Sequence, residues 1–221
     1  MNETKNGLTV PAAAWVITIS WPQPCRMEVP GPKADERNDH KAMAIILAID
    51  PGTKESGYVV ADYETLRPLR FGKEDNATVL SIIGDVLRSS PRDGCTVALE
   101  MVASYGMPVG REVFETVRWI GRFEQHIRDG FPGTEIRYVY RREEKLAICH
   151  SPKANDATIR RALADRFAYG TRNGGKGTKS EPGFFYGFRA DIWQAFAVAV
   201  TCHDAIEKEN GRIFQEGGRD G

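Results

Sequence analysis

The stretch that decides the fold runs from Ile45 to Val60 and reads Ile-Ile-Leu-Ala-Ile-Asp50-Pro51-Gly52-Thr53-Lys54-Glu55-Ser56-Gly57-Tyr-Val-Val. An apolar run of strand length ends on a carboxylate, turns through Pro-Gly, and resumes as a second apolar run after Gly57. Asp50 therefore stands where a buried strand gives way to a turn, and a carboxylate there is costly unless it meets a cation, a donor or water. Asp before Pro-Gly is ordinary turn chemistry. It is also what a metal or phosphate site looks like at a strand end, where α/β sheets place their ligands. Recurrence of carboxylates at similar places along the chain decides between the two.

Working outward, Gly57 to Ala61 reads as a second strand and Leu66 to Phe71 as a third, giving an antiparallel meander. From Asn76 to Arg88 the positions Val79, Ile82, Ile83, Val86 and Leu87 follow helical spacing, with Asp75 or Asn76 as N-cap. Cys95 to Leu99 is a short apolar strand that also ends on a carboxylate, Glu100. A helix separates it from the first strand, so parallel pairing of the two is expected, which brings Glu100 beside Asp50. A third carboxylate, Asp191, opens the last helix, whose small and apolar residues (Ala195, Phe196, Ala197, Val198) suit packing on a sheet.

Between these landmarks lie a loop from Val102 to Gly110 and a helix from Arg111 to Arg128 with Phe114, Val117, Ile120, Gly121, Phe123 and Ile127 as its buried stripe. A strand from Glu135 to Tyr140 follows, then Arg141 to Cys149, then a basic helix from Asn155 to Tyr169. The Gly-rich segment Gly170 to Gly187 reads as a mobile loop. Its Lys176 and Lys179 and its run Phe184-Phe185-Tyr186 suit closure on nucleic acid, with rings stacking on bases. A passive linker has the same composition.

At 221 residues the chain suits one core. The expected organisation is a largely disordered extension over residues 1–42, an α/β domain over 43–210, and a flexible tail over 211–221. Net charge is zero, but Arg137 to Arg189 holds twelve Lys and Arg against five Asp and Glu, a candidate phosphate-facing surface. Cys25, Cys95, Cys149 and Cys202 are scattered, which argues against a zinc site or disulfide framework and fits a reducing, cytoplasmic setting. No run is long enough to span a membrane.

Three carboxylates cannot converge without cations, because like charges at short range repel. Oxygen-only ligation favours Mg²⁺ or Mn²⁺. Two such ions roughly 4 Å apart activate water and stabilise a leaving oxygen in phosphodiester hydrolysis.

Three blocks, Ala48-Ile-Asp50-Pro-Gly, Leu99-Glu100 and Arg189-Ala-Asp191-Ile-Trp-Gln-Ala-Phe-Ala-Val-Ala-Val-Thr, resemble the signature blocks of RuvC-like Holliday junction resolvases of the RNase H-like superfamily. The resemblance covers residues 43 to 207. It implies a mixed five-stranded sheet flanked by helices, a homodimer, and Mg²⁺-dependent paired nicking of four-way DNA junctions (two ions, with Mn²⁺ able to substitute). Asp50, Glu100 and Asp191 become metal ligands and catalytic residues.

Tyr105, Arg111, Arg142, Lys145, Lys153, Arg160, Lys176, Lys179 and Arg189 become candidate DNA contacts. Two positions depart from the family pattern. Gln194 stands where the family carries a second acid one turn after Asp191, and its amide oxygen is the weaker ligand. Asp204 cannot replace it, since thirteen residues of helix span roughly 20 Å. Ala103 stands at the place of an aromatic wedge, leaving Tyr105 or Met107 for that job. Other readings are an RNase H-like protein that binds branched nucleic acid without cutting, and a structural α/β domain. Asp-Pro-Gly-Thr also resembles the phosphate loop of actin and Hsp70-type ATPases, but no duplicated domain is present.

Overall fold

The computed structural model describes residues 44–91, 94–104, 106 and 108–211. The expected extension (1–42), the tail beyond Gly211, and Tyr105 and Met107 lie outside them.

The strands β1 (Ile45–Asp50), β2 (Glu55–Asp62), β3 (Pro68–Asp75), β4 (Cys95–Met101) and β5 (Glu135–Tyr140) form one sheet in the order β3-β2-β1-β4-β5. β1 to β3 are the antiparallel meander, and β4 and β5 run parallel to β1. The third strand starts two residues later than the sequence indicates and runs four residues further. Leu66 adopts φ 54° in the preceding turn, and Asp75, one of the two residues expected as N-cap, caps the first helix by accepting from the amides of Ala77 and Thr78. As an edge strand with mostly exposed residues, β3 carries little of the apolar signal that marks a strand in sequence.

Helices cover both faces. α1 (Asn76–Ser89) and α2 (Arg111–Gly130) pack on one, where Ile45, Leu47 and Ile49 meet Val79, Ile83, Ile120, Phe123 and Ile127. α5 (Ala190–Glu209) packs on the other, where Ile46, Ala48, Val59 and Ala98 meet Ala195, Phe196 and Ala199, with α4 (Asp156–Ala168) alongside. β1 is buried on both sides, which is why its run is unbroken rather than alternating. α3 (Arg141–Cys149) follows β5 directly, where no element was expected.

Two expectations need correction. Phe114 and Val117 of α2 are 59% and 43% exposed, so only Ile120, Phe123 and Ile127 of the expected stripe are buried. The apolar periodicity outlasts the sheet surface available to cover it. The Gly-rich segment, in turn, is tied down. Phe185 is fully buried and contacts Phe188, Trp193 and Phe196, while Phe184 stacks on Phe167. Backbone bonds Gly183 to Lys176 and Phe185 to Gly175 close it, helped by a bridge between Gly177 and Pro182. These rings belong to the core, not to a base-stacking surface.

Candidate functional site

Side-chain alternation along the strands builds the site. Ala48 and Ala98 point to the α5 face, so Asp50 and Glu100, two residues on, point there too. The pairing of Ile49 with Leu99 makes them neighbours across the β1–β4 seam. On the other side of Asp50 stands Gly57 of β2, and beyond Gly57 stands Lys73 of β3. One row thus crosses the sheet: Lys73, Gly57, Asp50, Glu100.

Gly57 is where α5 comes down on this row. A Cβ at Gly57 would lie 2.5 Å from the carbonyl oxygen of Asp191 and 3.1 Å from its Cβ. Only the missing side chain lets the first turn of α5 settle next to Asp50. The Pro51-Gly52 turn is held from below. Ser56 and Asn76, each 1% exposed, are joined at 2.5 Å, Asn76 Nδ2 donates to the Gly52 carbonyl at 3.0 Å, and the Gly52 amide donates to Ser56 Oγ at 3.2 Å.

Asp50, Glu100, Asp191 and Gln194 line one cavity of about 290 Å³ together with Arg141, Asp156, Arg160 and Trp193. The three sequence-derived carboxylates and Gln194 are therefore brought together. Among the described residues, however, no three acidic, His or Cys side chains are gathered closely enough to hold an ion as they stand. Asp191 is held instead by Lys73 Nζ at 2.7 Å, which also meets Glu55 at 3.2 Å.

Burial, then the Glu100 charge and a hydrogen bond to it, push the Asp50 carboxyl up to about 9. Burial also raises Glu100, with the charge of Glu144 next. Glu144 itself is raised by burial, opposed by Arg141. One buried oxygen on Glu100 (Oε2) and one on Glu144 (Oε1) have no partner. Crowded carboxylates with orphaned buried oxygens fit a divalent cation, because hard oxygen donors supply what Mg²⁺ or Mn²⁺ takes and the ion relieves the repulsion.

Glu144 was not anticipated. It is fully buried on α3; its Oε2 accepts from Gln194 Nε2 at 2.6 Å and from Arg141 at 2.5 Å, and Arg141 also pairs with Asp156. Arg141-Arg-Glu-Glu-Lys has the composition of a solvent-facing run. The available signal was topological: the end of a strand parallel to β1 and β4 delivers the next residues to the same sheet edge. Lys73 was missed because β3 was ended before it.

Of the expected DNA contacts, only Arg160 lines the cavity, its guanidinium 5.8 Å from the Trp193 ring centroid. Arg142 and Lys145 line an adjoining hollow with Arg141 and Pro152. Arg189 is exposed at the N-cap of α5. Lys153 is exposed in the turn before α4, which begins at Asp156. Lys176 and Lys179 are exposed on the Gly-rich segment, and Arg111 is exposed and paired with Glu115 at 2.8 Å; none of these three lines the cavity. Gln194 keeps the position expected of it, and Asp204 is committed to Arg166 at 2.5 Å.

No protein-family model matches the sequence. No curated protein matches it either. Among solved structures, the chain is similar to Thermus thermophilus RuvC, with a TM-score of 0.55 at 16% identity over 76% of this chain and 97% of that one. It is also similar to the T. thermophilus RuvC in complex with a Holliday junction substrate, with a TM-score of 0.53 at 15% identity over the same shares. No helix among the described residues is long and apolar enough to cross a membrane. At such identities the likeness speaks for architecture, and on that ground the chain has the RuvC-like, RNase H-like fold.

Proposed function

We propose that this protein is a metal-dependent endonuclease that cuts branched DNA, with the four-way junction as its substrate and paired nicks as its product. One observation carries the reading: carboxylates from β1, β4 and α5 line a single cavity beside Arg141 and Arg160. Asp50, Glu100 and Asp191 would hold Mg²⁺, with Mn²⁺ able to substitute and the amide oxygen of Gln194 as a further donor. When bound, the ions supply water activation and charge stabilisation at the leaving oxygen.

The chain's own residues do the rest. Asp50 stands between the other two acids and can serve both sides. Arg160, braced over Trp193, offers a phosphate contact at the cavity wall, and Arg142, Lys145 and Arg189 extend positive charge along its rim, where backbone contacts fix register without reading sequence. Lys73 holds Asp191 in reach of Asp50. The exposed Phe114 and Val117 on α2 support self-association, which would set two sites at a fixed spacing for paired nicks. A cytoplasmic setting accords with free thiols at Cys95, Cys149 and Cys202.

A second reading, binding without cutting, is favoured by the 2.7 Å ion pair between Lys73 and Asp191 and by an amide at position 194. A synthetic four-way junction, a linear duplex and a structured RNA, each incubated with Mg²⁺, Mn²⁺ or EDTA, separate the readings. Metal-dependent, symmetrically placed nicks confined to the junction are expected. Tight junction binding with no cleavage in either metal would overturn the nuclease reading and leave the binding protein.

A further inference from the structure

Gln194 is a cavity-lining residue whose side chain has two ends of opposite character, and which end faces the cavity decides whether it can meet a cation. A planar amide bears an oxygen acceptor on one side and an NH₂ donor on the other. Its hydrogen-bond partner sets the orientation, and that partner is Glu144.

Glu144 Oε2 receives two donors, Gln194 Nε2 at 2.6 Å and Arg141 at 2.5 Å. The guanidinium of Arg141 has only donors to offer, so Oε2 is an acceptor. Gln194 must therefore present its NH₂ to Glu144. Glu144 lies behind the cavity wall, whereas Gln194 and Asp50 form it. The amide oxygen is thereby the end of the group left free of Glu144, on a residue that lines the same cavity as Asp50 and Asp191.

The placement of Glu144 is costly on structural grounds alone. It is fully buried, its Oε1 has no partner, and it adds a further acid to a neighbourhood that already holds Asp50, Glu100 and Asp156. A carboxylate kept dry, half-satisfied and close to like charges is a liability unless it serves the cation site.

We propose that Glu144 is a positioning residue of the metal centre. It locks the amide of Gln194 so that the oxygen, not the NH₂, faces the ion, and it supplies from behind the negative charge that position 194 lacks. This rests on the metal-centre reading above. It follows the general pattern in which a carboxylate behind a ligand fixes its orientation and strengthens it as a donor.

The test is a charge swap between isosteric side chains, read by calorimetric titration of Mn²⁺ and Mg²⁺ into the metal-free protein and by thermal unfolding in EDTA. Glu144→Gln can donate as well as accept, so Gln194 is free to turn; metal affinity should fall by ~10- to 100-fold. Its midpoint in EDTA should rise, since a crowded buried charge is gone. The double variant Glu144→Gln, Gln194→Glu rebuilds the same hydrogen bond in the opposite sense and returns an acid to the centre. Its affinity should recover to the native value or better.

A purely structural Glu144 gives a different result: a lower midpoint in EDTA, unchanged affinity, and no effect of the second substitution. Native affinity in Glu144→Gln, or failure of the swap to restore a lost one, overturns the proposal. Should Glu144→Gln not fold, Glu144→Asp keeps the charge but falls one methylene short of Gln194. It should weaken metal binding as well, and native affinity in that variant overturns the proposal equally. If the native chain itself binds neither ion, the metal-centre reading fails and this inference with it; loss confined to the variants' outcomes touches only the role of Glu144.

Discussion

Replacing Gly57 by alanine probes the seam on which the site is built. Gly57 lies opposite Asp50 in the β1–β2 ladder, and an added Cβ would sit 2.5 Å from the Asp191 carbonyl oxygen and 2.9 Å from its carbonyl carbon. Ordinary contact begins near 3.4 Å, so the first turn of α5 must recede by about 0.9 Å. These are backbone atoms at a helix start and cannot rotate aside.

Overpacking of this kind costs ~1–3 kcal/mol, which lowers the thermal midpoint by roughly 2–4 °C per kcal/mol for a domain of this size. The displacement also takes Asp191 from Asp50, and a shift of about 1 Å is worth on the order of 10²-fold in rate. Junction cleavage under single-turnover conditions should fall by about that factor while junction binding is kept. Gly121→Ala is the control: it lies inside α2 with nothing within 4 Å of the added Cβ, so it should gain up to ~1 kcal/mol of stability and leave cleavage unchanged. Native metal affinity and cleavage in Gly57→Ala would refute the claim that this contact sets the geometry of the site.

Stability without metal should depend on pH in a direction opposite to that of most carboxylate-rich proteins. Asp50 is raised from 3.8 to about 9, so the folded chain binds more protons than the unfolded one, and stability falls as pH rises across that window, by about 1.4 kcal/mol per pH unit for each extra proton held. Thermal scans in EDTA from pH 5 to 9 read the slope; a midpoint that climbs over this range contradicts it. Mg²⁺ should flatten the slope, since binding displaces those protons. Phe185→Ala should cost ~3–5 kcal/mol, and protease accessibility of Gly170 to Gly187 should not change when a junction is added; a near-neutral variant would return the segment to a loose loop. Phe114→Glu with Val117→Glu should shift sedimentation from dimer to monomer at unchanged folding, and a native chain already monomeric at micromolar concentration would remove the case for self-association.

The carboxylates at the heart of the site were legible because each marks an abrupt change of pattern. Asp50 ends a strand buried on both faces, Glu100 breaks the apolar run of another one residue before its end, and Asp191 stands in the first turn of a helix whose small residues fit a sheet. Topology followed from the same runs, since a helix between two apolar strands calls for a parallel crossover. Glu144 was illegible for the opposite reason. It sits amid charged neighbours whose composition reads as solvent-facing, and only the position of β5 in the sheet turns it inward.

Phe114 and Val117 show a further limit: periodicity records an apolar face but not what covers it. The Gly-rich segment shows another. Composition there signals turns, yet Gly175 and Gly183 serve close approach, each meeting core or backbone atoms that a Cβ would strike, so that Phe184 and Phe185 can enter the core.

The most direct measurement compares the native chain with Asp50→Asn on a labelled four-way junction in Mg²⁺, following both binding and nicking. The account expects paired nicks from the native chain, junction binding by both proteins, and loss of nicking in Asp50→Asn. Equal nicking by the two would contradict it, because Asp50 is the carboxylate on which the charges of both Glu100 and Asp191 act.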